Sequence, residues 1–222
     1  PPIADAALAV KAAPRTRLAG FKVFLDGTLN SRTAFMLEPY RNPAPEHPRG
    51  KLMTTLAELA RAMDVARDAG VGLAVHAIGD GAVRATLDTF ERHVASRSTR
   101  GGSTTRSTLV PPLRIEHCEL IHPDDVPRFA RLDVVCSVQP CHLLADIEVL
   151  RRSLPDRLDR VLPLRDLIAS GCAPNDGRNL LWFGSDVPIV RADPADSILA
   201  ATQRRRAGMS ESDAIAWSQR IG

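Results

Sequence analysis

Four polar residues stand where apolar strand segments run or end. Lys22 lies inside the apolar run Phe21–Leu25, His76 ends Val71–His76, His117 ends Leu113–His117, and Asp186 follows Leu180–Gly184. In parallel α/β folds, ligands and catalysis collect at the carboxyl ends of the strands. Two imidazoles, a carboxylate and an amine at four such ends make up a divalent-metal constellation.

Each residue taken alone also fits a structural role. A single strand-end histidine fits a hydrogen-bonded packing position. Asp186 fits a cap on the turn Ser185–Pro188. Lys22 fits a side chain that sends its ammonium to solvent along an apolar stem. The joint reading rests on all four falling at the same place in successive units, and on the cost of burying an unpaired lysine.

Other polar residues sit close to these in sequence. Gln139 and His142 follow the fourth strand and are candidates for contact with substrate or for support of a ligand; His142 also fits a surface loop. Arg32 and Tyr40 lie in the loop after the Lys22 strand and are candidate substrate contacts, with solvent-facing roles as the alternative. Asp80 reads as a helix N-cap in preference to a catalytic group. Glu116 precedes His117, so strand alternation predicts that it faces the helices. His47, His93 and His122 read as surface residues. The run Arg204–Arg206 reads as contacting a helix C-terminus.

The elements that position these residues follow from apolar spacing. Short β-branched or aromatic runs predict strands at Phe21–Leu25, Val71–His76, Leu113–His117, Val134–Val138 and Leu180–Gly184. Leu52, Leu56, Leu59, Met63 and Ala66 form one helical face that Gly70 ends. Val83, Leu87, Phe90 and Val94 form the next. Pro123–Asp125 opens a short helix carrying Val126 and Phe129. Leu164, Leu167 and Ile168 mark a helix ending at Gly171, and Asp193–Pro194 caps another. Ser210–Asp213 has the form of a capping box opening a last helix. This alternation predicts a parallel α/β sheet with crossover helices. Pro39–Pro48 and the Ser/Thr/Gly/Arg-rich Arg97–Pro112 read as long loops, the second as a mobile surface loop.

Composition narrows the function classes. The 222 residues are 44% hydrophobic and 25% charged, and the net charge of +3 includes no long basic run. That argues against a nucleic-acid or membrane-surface role. No apolar stretch approaches the ~20 residues of a membrane span. The four cysteines form no CxxC pair, so neither a zinc ribbon nor a disulfide scaffold is expected, and a reduced, cytoplasmic setting fits.

The segments around these residues resemble the amidohydrolase superfamily, and within it amidohydrolase family 3, which includes N-substituted formamide deformylases. The resemblance is carried by Lys22–Thr28, Ser31–Ala34, Pro39–Tyr40, His76–Asp80, Arg114–Cys118, Ser137–Pro140 with His142, and Gly184–Pro188, in the family's order. It implies a metal-dependent hydrolase on a distorted (β/α)8 barrel, with the strands here matching barrel strands four to eight. Lys22 then matches the lysine that carbon dioxide converts to a metal-bridging carbamate, which requires a neutral amine that partial burial favours. His76 and His117 match the ligands on strands five and six. Asp186 matches the strand-eight aspartate that holds metal and shuttles the proton of the nucleophilic water. The implied cofactor is one or two divalent ions, zinc by first choice, which lower the pKa of water to roughly 7.

The superfamily's opening HxH pair is absent, as are three upstream strand–helix units and the accompanying β-sandwich. With a start at Pro1 in place of Met, the chain is therefore expected to be the C-terminal part of a longer enzyme. Alone it is expected to be inactive, to bind metal weakly, and to self-associate through the open edge at Phe21–Leu25. Three functions remain open: hydrolysis of a small N-substituted amide or formamide, hydrolysis of a cyclic amide or ester on the same fold, and a non-catalytic, partner-binding relic.

Overall fold

The computed structural model describes residues 15, 18–98, 113–174, 178–205 and 208–221. The expected mobile loop at 97–112 lies outside these except at its first two residues, and Arg206 lies outside them as well. Five strands, β1 (Gly20–Phe24), β2 (Gly72–Ala77), β3 (Leu113–His117), β4 (Val135–Val138) and β5 (Leu181–Phe183), form one sheet in the order of the chain. All four pairings are parallel. Between them run α1 (Leu56–Asp68), α2 (Asp80–Ser98), α3 (Val126–Leu132), α4 (His142–Ser153) and the short α5 (Leu164–Leu167); α6 (Pro194–Gln203) follows β5.

Among the described residues, the helices cover one face of the sheet. Leu73, Val75, Leu113, Ile115, Cys136 and Val138 point into that layer and are buried. Helix α1 meets it through Leu59, Met63 and Ala66. A capping box starts α1: Thr55 accepts from the Glu58 N–H at 3.2 Å, and Glu58 accepts from the Thr55 N–H at 2.9 Å. Gly70, at φ +64°, ends the segment as expected.

The register sets the other face. Phe24 pairs with His76, His76 with Glu116, Glu116 with Ser137, and Ser137 with Trp182. Residues paired in this way share a face. Phe24 and Trp182 on it are 51% and 39% exposed, which marks it as the uncovered side. The architecture is thus a wall of parallel strands with helices on one side.

Two expectations are corrected, and the contact of Arg204 with a helix C-terminus is found. Glu116 lies on the uncovered face, not against the helices, and pairs there with Arg114 and Gln139. Alternation fails after it because His117 and Cys118 adopt φ of +74° and +46°. Ser210 does form a capping box with Asp213, but only the 3₁₀ turn Glu211–Asp213 follows, because Ala214 is extended. Arg204 is fully buried. Its backbone caps α6 in the left-handed region, while its guanidinium donates to the carbonyls of Val161, Leu162 and Ile215 at 2.5, 3.1 and 3.0 Å.

Candidate functional site

A cavity of about 550 Å³ opens at the carboxyl ends of the strands. Lys22, His76, His117 and Asp186 all line it, as does His142. Three imidazoles run in sequence across its floor. The His76 and His117 ring centroids are 4.4 Å apart, and those of His117 and His142 are 5.9 Å apart.

Each imidazole is fixed by a different device. His76 Nε2 lies 3.1 Å from the Gly27 carbonyl. A carbonyl only accepts, so Nε2 carries the hydrogen and the neutral ring keeps its Nδ1 lone pair. His142 opens α4 and meets the Ser185 carbonyl through Nε2 at 3.3 Å. His117 is turned toward His76 by its left-handed backbone, and its buried Nδ1 has no hydrogen-bond partner among the described residues. Burial pushes the His117 pKa down to about 3, with His76, His142 and Lys22 acting in the same direction and the Gln139 side chain opposing them. Burial also lowers His76, against the Gly27 hydrogen bond. Both rings are therefore neutral near pH 7, the form that ligates cations.

Asp26 underlies this arrangement, although it was not among the expected site residues. Its fully buried carboxylate accepts from the backbone N–H groups of Phe35, Ile78 and Gly79 at 2.8, 3.0 and 3.0 Å. Its Oδ1 is 3.7 Å from His76 Nε2. One side chain thus ties the loop after β1 to the loop after β2. Gly79 permits the tight packing: a Cβ there would fall 2.1 Å from the Phe35 carbonyl oxygen. Burial raises the Asp26 pKa to about 7 against the pull of those N–H groups.

The remaining expected residues divide. Lys22 is exposed, with Nζ 4.9 Å from the Phe24 ring centroid; the sequence predicted partial burial, but no strand lies beyond β1 among the described residues. Asp186, half-buried at φ +56°, lines the cavity while its carbonyl accepts from Ile189 N–H at 2.9 Å. Gln139 is buried beside Glu116, its Oε1 unpartnered. Arg32 and Tyr40 do not line the cavity: Arg32 donates to the Asn42 carbonyl, and the buried Tyr40 hydroxyl to the Ala34 carbonyl, each at 2.8 Å, so both staple their own loop. Asp80 is the first residue of α2, but its carboxylate accepts from Leu37 N–H, outside the helix, at 2.9 Å. The His93 side chain is only 8% exposed and lies 3.7 Å from Asp64, so it packs between α1 and α2.

Two further acids line the cavity and were missed. Glu119, in the loop after β3, faces Asp146 of α4 within hydrogen-bonding range, and burial raises both. Among the described residues, no group of three or more His, Cys, Asp or Glu side chains is set closely enough to hold a metal ion.

A parallel β/α wall with a cavity at its strand ends, into which a few polar side chains are set, defines the class as barrel-type α/β. The chain belongs to the amidohydrolase family, whose family model matches residues 5–221. It is similar to an uncharacterized metal-dependent hydrolase from Pyrococcus horikoshii, at 30% identity and a TM-score of 0.73, covering 98% of this chain and 40% of that one. A second, from Pyrococcus furiosus, gives 30% identity and a TM-score of 0.69 over 93% of this chain and 38% of that one. Protein LONG AFTER FAR-RED 3 of Arabidopsis thaliana is 32% identical over 84% of this chain and 29% of its own length. YtcJ of Bacillus subtilis (strain 168) is 28% identical over 86% of this chain and 32% of its own length. The chain thus spans about a third of the curated relatives it matches. Among the described residues, no helix is long and apolar enough to cross a membrane.

Proposed function

We propose that this chain supplies the catalytic wall of a metal-dependent hydrolase that cleaves the C–N bond of an N-substituted amide or formamide. The observation that carries this reading is the His76–His117 pair, two neutral imidazoles in contact within a cavity shared with Lys22 and Asp186. The donor chemistry fits a divalent ion: the His76 Nδ1 lone pair is uncommitted, and His117 Nδ1 is buried without a partner. His76, His117 and Asp186 would hold it, with Lys22 as a carbamate, and zinc suits these ligands. Such an ion supplies Lewis acidity and brings the pKa of water to roughly 7.

This chain's own residues do the rest. Asp186 accepts the proton of the attacking water at its carboxylate and returns it to the leaving nitrogen. His76 is held in one tautomer by Gly27, so its ring orientation is set before substrate arrives. Val187, Ile189 and Val190 give the cavity an apolar side for the non-reacting part of the substrate. Four free cysteines accord with a cytoplasmic setting.

The test, made on the longer enzyme that carries this wall, is metal content by mass spectrometry, with hydrolysis of N-formyl amines measured beside lactams and esters. Loss of bound metal in both His76→Ala and His117→Ala, with N-formyl amines the best substrates, is the expected result. Unchanged metal content in both variants would overturn the reading. The non-catalytic alternative is favoured by one observation, the lack of three closely set donors among the described residues.

A further inference from the structure

We propose that Glu119 and Asp146 form a subsite for a cationic nitrogen, ammonium or guanidinium, carried by the molecule that occupies the cavity. The inference rests on the proposed function only for calling that molecule a substrate. Glu119 is 5% exposed, and its Oε1 has no hydrogen-bond partner among the described residues. The two acids meet each other and share a proton, which leaves the pair one negative charge, and the buried Oε1 calls for a donor that the described residues do not provide. No ion pair reaches Glu119 or Asp146 among the described residues. Asp146 is met instead by Asn30, whose Nδ2 donates to Oδ1 at 3.2 Å and steadies the carboxylate without neutralising it.

The placement gives the ligand its shape. Asp146 is half-buried and reachable from the cavity, with Glu119 behind it. His142 and Asp146 are four residues apart on α4, so they present one helix face to the cavity. Glu119 follows His117 by two residues, which keeps their Cα atoms within about 7 Å. The cationic nitrogen therefore lies a short spacer from the imidazoles, and Val187 and Ile189 offer apolar contact for that spacer. The ligand class is an amide bearing a terminal ammonium or guanidinium on a short aliphatic chain.

The experiment uses the 222-residue chain and two probes of equal length, N-acetyl-1,4-diaminobutane and neutral N-pentylacetamide, with binding measured by calorimetry. The cationic probe is expected to bind at least tenfold tighter, with the preference falling as salt is raised. Glu119→Gln and Asp146→Asn, each checked for unchanged circular dichroism, are expected to remove the preference and leave the neutral probe unaffected. Equal binding of the two probes, or binding of neither, overturns the subsite. So does a preference that survives both substitutions, or a loss of bound divalent ion in Glu119→Gln, which would make the pair an ion site. Turnover and His117→Ala separate the two proposals. A cation preference retained in His117→Ala, without hydrolysis by the longer enzyme that carries this wall, supports the subsite and sinks the hydrolase. Hydrolysis without cation preference does the reverse.

Discussion

The His76 and His117 rings meet at 64° with 4.4 Å between centroids, although the sheet register pairs His117 with Ala77. In a regular strand that pairing would send the two rings to opposite faces. The left-handed backbone at His117 swings its ring across. Two imidazoles in contact cannot both be charged at low cost, and their neutrality follows from that contact together with burial.

This neutrality predicts a pH dependence. Between about 3 and 6.5, the unfolded chain binds the His117 proton that the folded chain refuses, so stability falls as pH falls through that window. Asp26 acts in the opposite sense: between 3.8 and about 7 the folded chain holds a proton that the unfolded chain has lost. Its contribution is full below that window and is lost as pH rises through 7. His76 acts in the sense of His117, and Glu119 and Asp146 in the sense of Asp26. Urea unfolding from pH 7 to 4 is expected to show a steeper loss toward acid in Asp26→Asn and a shallower one in His117→Gln. Each change is bounded by about 1.4 kcal/mol per pH unit. Parallel slopes in all three proteins would refute it.

For the enzyme carrying this wall, Asp186→Asn is expected to lower kcat by about 10²–10⁴-fold with little change in KM, since a positioned proton carrier contributes on that scale. An unchanged kcat would remove Asp186 from proton transfer.

Arg204→Leu is expected to destabilise the fold by about 3 kcal/mol in equilibrium unfolding, because three carbonyls lose a buried donor. Arg204→Lys is expected to recover only part of this, since an ammonium lacks the planar fork. A wild-type midpoint in Arg204→Leu would show that those carbonyls find other partners.

Strand β1 has a neighbour on one side only among the described residues, and Phe24 on it is half-exposed. Such an edge recruits other chains. Light scattering is expected to show concentration-dependent association that Phe24→Lys reduces. Identical scattering by the two proteins would place any association elsewhere.

The five strands were legible because apolar runs bounded by glycine and aspartate identify themselves, and all five fall within a residue or two of expectation. Helix α4 was not read, although Leu143, Ile147 and Leu150 form a buried stripe. Cys141 gives it no side-chain cap, so it opens without a start signal. That omission hid the kinship of His142 with Asp146, which only helical spacing reveals. The face of Glu116 was misread because alternation presumes a backbone that His117 does not keep. Asp26 and Glu119 were passed over for a common reason. What distinguishes each is tertiary: three distant N–H groups for one, and a carboxylate 27 positions further along for the other.

Every strand pairs with the one made just before it, so spatial order repeats synthetic order. Such a sheet can grow by accretion from its amino-terminal side, each βα unit docking on a surface already in place. His76 and His117 then meet as soon as the third strand is laid down. The Asp186 loop follows only the fifth, so the paired-imidazole face can form before Asp186 reaches it.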